Sequence, residues 1–117
     1  MPATRQQLAT AVLQDGGIIG ASEIPSAEDQ QYVMGVYDLK YAELAAHGNE
    51  YVYWPINEIP DAVFLPMRDL VWNEIRTAYG QPIDADKKEQ LATTIMRRIR
   101  RHVATQASGL PVRAIYF

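Results

Sequence analysis

The run Met96–Arg97–Arg98–Ile99–Arg100–Arg101–His102 is the densest group of side chains able to do chemistry in this sequence. Four guanidinium groups flank one apolar position, so a helix here would turn Ile99 inward and the arginines outward. Such a face can lie along phosphates, each contact adding a salt-dependent increment of affinity. It can equally pair with the carboxylates of an adjacent protein, because the guanidinium fork matches a carboxylate. It can also be a solvated basic face and nothing more. No asparagine or glutamine cluster accompanies the arginines, which weakens sequence-specific base reading. The segment 80–84 joins two long helical patterns, unlike the tight turn between short helices of an operator-binding motif.

Other chemistry is sparse. His47 and His102 are the only histidines and fall near the ends of different helical patterns, where the helix dipole favours them. Glu28–Asp29 and Asp84 with Asp86 suit helix starts better than paired acid–base work, which needs carboxyls held at separated pKa values. Gly16–Gly17 with Gly20 lacks the lysine and Ser/Thr of a phosphate-binding loop, and follows a helical pattern instead of a strand. No cysteine is present, so disulfides, cysteine nucleophiles and thiolate zinc sites are excluded. The expectation is a protein without catalytic residues, metal or cofactor.

Charge is divided along the chain. Residues 1–86 carry four basic and thirteen acidic side chains, a formal charge of −9, while residues 87–117 carry seven basic and one acidic, +6. This is an acidic body with a basic last helix and tail, suited to meeting nucleic acid, another acidic protein or further copies of itself. A hydrophobic fraction of 48% over 117 residues predicts one folded domain. The opening residues carry no long apolar run, so no secretory signal is expected. No stretch approaches about 18 apolar residues, so no membrane span is expected either.

The elements that must position these groups read as an all-α fold, a small bundle of about four helices with an extended C-terminal tail. Thr4 with Gln7 forms a capping box for a first helix through Leu8, Ala9, Val12 and Leu13, ended by Gly16–Gly17. Ile18, Ile19 and Ile24 are expected to anchor the following connection. Ser26 is an N-cap for a second helix running to about His47, with Gly48 beyond its end and Val33, Val36, Tyr37, Tyr41 and Leu44 on one face. A loop then carries Tyr51, Tyr53 and Trp54, either closing over the bundle or meeting a partner, with Val52–Trp54 a candidate extended segment. The third segment spans Pro60 to Gly80, and Pro66 inside it predicts a kink or a turn with a new helix. Asp84 caps the last helix, whose apolar line is Leu91, Ile95, Ile99 and Val103, stopped by Gly109.

The last eight residues, LPVRAIYF, are largely apolar where many chains fray. They can fold back over the bundle, or dock on a neighbouring subunit through Leu110, Ile115, Tyr116 and Phe117. The division expected is a helical domain over 1–109 and a docking tail over 110–117.

The order of these signals resembles the small head-to-tail adaptor proteins of tailed bacteriophages, also called head completion or connector proteins. The resemblance rests on LQDGGIIGASEIPSAED at 13–29, where Glu23, Pro25, Ser26 and Glu28 match the family's turn before its second helix. It rests also on the long helix after Ser26, on IPDAVFLPMRDLVWNEIRTAYG at 59–80 with its closing Tyr79–Gly80, and on the basic last helix. The resemblance implies a structural protein, twelve copies of which form a ring beneath the portal protein. The ring extends the channel for packaged DNA, helps retain it, and offers a platform to the next tail or nozzle protein. The location implied is the virion neck, reached from the host cytoplasm during assembly. On that view Arg97, Arg98, Arg100 and Arg101 serve assembly electrostatics and the C-terminal residues dock. The alternative is a small DNA-binding packaging accessory protein that uses the basic last helix.

Overall fold

The computed structural model describes residues 2–47 and 51–108. Within them the chain forms four helices: α1 (Arg5–Asp15), α2 (Ala27–Ala45), α3 (Asp61–Ile75) and α4 (Ala85–Ser108). The only sheet-like pairing among the described residues is an isolated antiparallel bridge between Ala3 and Ile59.

Local chemistry sets the helix ends. Thr4 accepts the Gln7 amide at 3.2 Å while the Gln7 side chain accepts the Thr4 amide at 2.8 Å, so two otherwise orphaned donors are satisfied. At the other end of α1, Gly17 sits at φ 75°, the Ile18 amide donates to the Leu13 carbonyl, and the Gly17 amide donates to Gln14. This wrap-around closure needs a residue that tolerates left-handed backbone. Gly80, at φ 78°, repeats it: the Gln81 amide reaches back to the Arg76 carbonyl and Gly80 donates to Thr77. Ser26 caps α2 by accepting the Asp29 amide, with Glu28 and Asp29 in the first turn. The Lys88 amide donates to the Asp84 carbonyl at 2.9 Å, which puts Asp84 at the N-cap position of α4. Gly48 and Gly109 lie outside the described residues.

Of the two outcomes expected at Pro66, a turn with a new helix does not occur: one helix, α3, runs through the proline. The bond that Pro66 cannot make would have gone to the carbonyl of Ala62, in the exposed first turn where water can replace it. Helix also ends at Ile75, and 76–80 continue as short turns in which Ala78, Tyr79 and Gly80 each bond three residues back.

The core lies among α1, α2 and α3, which pack on one another, and α4 is laid along α3. Leu8, Val12 and Leu13 of α1, Val33, Tyr37 and Leu44 of α2, and Val63, Met67, Leu70, Val71 and Ile75 of α3 are buried. From α4, Ile95, Ile99 and Val103 join them. Each such side chain contributes roughly 1.5–3 kcal/mol by leaving water, more than the ~1 kcal/mol of a typical cap. Burial therefore holds the bundle and the caps decide where its helices stop. α1 and α3 run the same way, since Ala3 pairs with Ile59 and Asp15 lies near Arg68. α4 runs against α3, with Lys88 beside Asn73 and Arg98 beside Asp69. Two expected core contacts are not made. Ile24 is 89% exposed while Pro25 takes the buried place, and Leu91 is 41% exposed because the side of α4 against α3 runs through Lys88, Ala92, Ile95 and Ile99, with Leu91 on its flank.

Candidate assembly surfaces

Because α4 has α3 on one side, its arginines divide into two groups. Arg98 turns toward α3 and bonds Asp69 at 3.3 Å. Asp69 also accepts from Arg68, whose guanidinium lies 3.6 Å from Asp15 of α1. Arg98 is thus the outer member of an ion ladder crossing three helices. Arg97, Arg100 and Arg101 point away and line an open groove with Ala104. Arg97 and Arg101 are exposed and have no ion pair among the described residues. The basic surface available to another molecule is therefore that of Arg97 and Arg101, without Arg98.

A second ion cluster fastens the start of α4. The Glu74 carboxylate receives Lys40 of α2 at 2.7 Å and Lys88 of α4 at 3.0 Å. Burial is the largest single influence on Lys40, whose side chain is 16% exposed, and works against its charge. The hydrogen bond and charge of Glu74 together with those of Glu43 outweigh it, and the ammonium titrates above its ordinary 10.5. The two lysine hydrogen bonds hold the Glu74 carboxyl below its ordinary 4.5. Beside this cluster Asn73 is buried, its amide nitrogen donating to the Lys88 carbonyl at 3.0 Å, with Oδ1 unbonded among the described residues. Sequence reasoning passed over Asn73 and the Lys40–Glu74–Lys88 cluster. An asparagine amid the apolar α3 stripe was the available signal for the first; the second joins residues too far apart in sequence to suggest one another.

The loop aromatics do not act as a unit. Trp54 is 4% exposed and belongs to the core, a correction to its candidacy as a partner-binding residue. Its indole N–H donates to the Tyr37 hydroxyl at 3.3 Å, the Tyr37 hydroxyl donates to the Ile56 carbonyl at 2.9 Å, and the Tyr41 hydroxyl donates to the Trp54 carbonyl. Burial pushes the Tyr37 phenol up to about 12. A large ring whose donor finds a partner inside is stable there, which is why the loop closes over α2. Tyr51 is half-buried, edge-on to His47 with ring centres 5.4 Å apart. Only Tyr53, leaning on Trp54 at 5.3 Å, is exposed. Val52–Trp54 form no strand; the extended pairing falls at Ile59 instead.

Leu110, Ile115, Tyr116 and Phe117 lie outside the described residues. No group of three or more metal-ligating side chains occurs among the described residues, and no helix there is long and apolar enough to cross a membrane. Compared with known protein families the chain matches none, and no curated protein is significantly similar to it.

Proposed function

We propose that this chain is a structural head-to-tail connector of a tailed bacteriophage. Twelve copies form a ring beneath the portal protein, extend its DNA channel, help retain the packaged genome and present a platform to the next tail or nozzle protein. The ring belongs to the virion neck and assembles in the host cytoplasm. No cofactor or catalytic step enters the account.

The observation that carries the reading is the placement of charge on an all-α body. The exposed guanidiniums of Arg97 and Arg101 sit on a helix whose other side is fixed to α3, while most of the acidic residues lie on the other three helices and their connections. A helix held from one side presents its outer face without reorganisation, which lowers the entropic cost of association. Arg98 and the Glu74 cluster hold that face in place. An acidic surface elsewhere suits a channel through which DNA must slide without adhering. The test is co-sedimentation with portal rings: the wild-type chain should travel with them, and a chain truncated before Leu110 should not.

The same outer arginines favour a second reading, a DNA-binding packaging accessory. It requires affinity for free duplex DNA that falls steeply as salt rises.

A further inference from the structure

α2 is apolar on two faces. Val33, Tyr37 and Leu44 point into the core, yet on the opposite side Tyr32, Gly35, Leu39 and Ala42 are all exposed, Leu39 at 73%. These outward positions recur at the spacing of a helix–helix seam. A Cβ added at Gly35 would meet nothing within 4 Å, so the middle of this face is open and shallow. An amphipathic surface helix ordinarily turns a polar side to water. The exposed carboxylates of Glu28 and Glu43 mark the two ends of the stripe, and Glu43 also pairs with Lys40 of its own helix at 3.6 Å.

The outward face of α4 has the complementary pattern. Lys87, Leu91, Thr94, Arg97 and Arg101 are exposed at the same helical spacing, with cations at both ends and Leu91 between them. Laid antiparallel with Thr94 over Gly35, the two faces match along four turns. Arg101 falls beside Glu28, Arg97 over the Tyr32 ring, Leu91 against Leu39, and Lys87 beside Glu43. A guanidinium over a tyrosine face is attractive, and antiparallel helices set opposite dipole ends together. Laid parallel, Glu28 would meet Lys87 and Glu43 would lie beside Arg101, but Leu39 would fall on Arg98, already engaged with Asp69, in place of Leu91, and the helix dipoles would be aligned.

We propose that α4 of one copy packs antiparallel on α2 of the next, through the outward faces of both. The two patches differ, so the contact is heterologous and repeats from copy to copy until a ring closes. From the connector reading this takes only that copies stand side by side. The partner of the basic face is then a second copy of this chain, and Leu39 and Tyr32 are the residues that it covers.

The absence of cysteine makes the pairing directly readable. Full-length Gly35→Cys and Thr94→Cys chains, mixed and oxidised, should form a disulfide-linked heterodimer that neither forms alone. Ala42→Cys should link to Lys87→Cys. A link from Ala42→Cys to Arg101→Cys instead would mean parallel packing and overturn the proposal, as would Gly35→Cys linking only to itself. Arg101→Glu should weaken self-association by about tenfold or more, and Glu28→Arg on the neighbour should restore it, with helical circular dichroism unchanged in both. Copies that neither associate nor cross-link at about millimolar concentration, yet still bind portal rings, would overturn the α2–α4 pairing and leave the connector reading intact. Cross-linking as described with no portal binding would do the reverse.

Discussion

The benzo edge of the Trp72 indole lies where the side chain of Gly16 would be. A Cβ built on Gly16 would stand 2.4 Å from Cζ3 and 2.5 Å from Cη2 of that ring. The end of α1 and the last full turn of α3 therefore approach through a position that only glycine fills, and the Gln81 side chain closes the same corner by donating to the Gly16 carbonyl at 2.8 Å. The next residue, Gly17, is glycine for a different reason, its positive φ.

These two reasons separate experimentally. Gly16→Ala should cost about 1–3 kcal/mol through overpacking, and Trp72→Leu in the same chain should recover part of that loss. Gly17→Ala should cost about 1–2 kcal/mol as backbone strain, with no recovery from Trp72→Leu. Denaturant midpoints of the five chains, including Trp72→Leu alone, decide the matter. Equal behaviour of the two alanine variants would contradict the assignment.

Trp54 and Tyr53 are neighbours in the same loop but differ in burial. Trp54→Ala should destabilise by about 3–5 kcal/mol, because it empties a core site and removes the donor to Tyr37. Tyr53→Ala should fall within about 1 kcal/mol of wild type. Thermal unfolding followed by circular dichroism measures both.

The boundaries that could be read along the chain are those set by local hydrogen bonds. Thr4 with Gln7, Ser26, Gly17 and Gly80 all act within five residues of themselves, and their roles follow from residue type. What depends on a distant surface was not legible. Ile24 has the composition of an anchor, yet Pro25 is buried. Leu91 continues the α4 apolar line in sequence, but α3 lies against the side of α4 that carries Lys88, Ala92 and Ile95. Trp54 needed the positions of Tyr37 and Tyr41 on α2 before its loop could be placed. The arginine run illustrates the same limit: spacing puts all four outward of Ile99, but only the position of Asp69 separates Arg98 from Arg97 and Arg101.

The Glu74 cluster should make stability fall at both extremes of pH. Glu74 titrates below its ordinary 4.5, so its contribution is present above that value and is lost as pH falls through the lower folded-state value. Lys40 titrates above its ordinary 10.5, so its share is complete below that value and is lost as pH rises through the higher one. Tyr37, at about 12, adds to the alkaline loss from pH 10 upward. Unfolding free energy measured against pH should therefore show a neutral plateau. In Glu74→Gln the plateau should be lower and the acid-side slope shallower. An unchanged acid slope would exclude Glu74 as its source.

The arginines should separate by readout. Arg98→Ala removes a partly exposed pair to Asp69 and should cost no more than about 1 kcal/mol of stability. The double variant Arg97→Glu with Arg101→Glu should leave the unfolding midpoint within error and abolish association with neighbouring copies or the portal. Midpoints and sedimentation profiles of both chains provide the comparison. Unchanged association in the double variant would make the outer arginines a solvated face.

The proposed connector role is tested most directly by imaging the chain mixed with tailed-phage portal rings, with no symmetry imposed. The account predicts a twelvefold collar beneath the portal, with α4 of each copy on α2 of its neighbour. Absence of any collar, together with salt-sensitive binding of the free chain to duplex DNA, would contradict it and assign the basic face to nucleic acid.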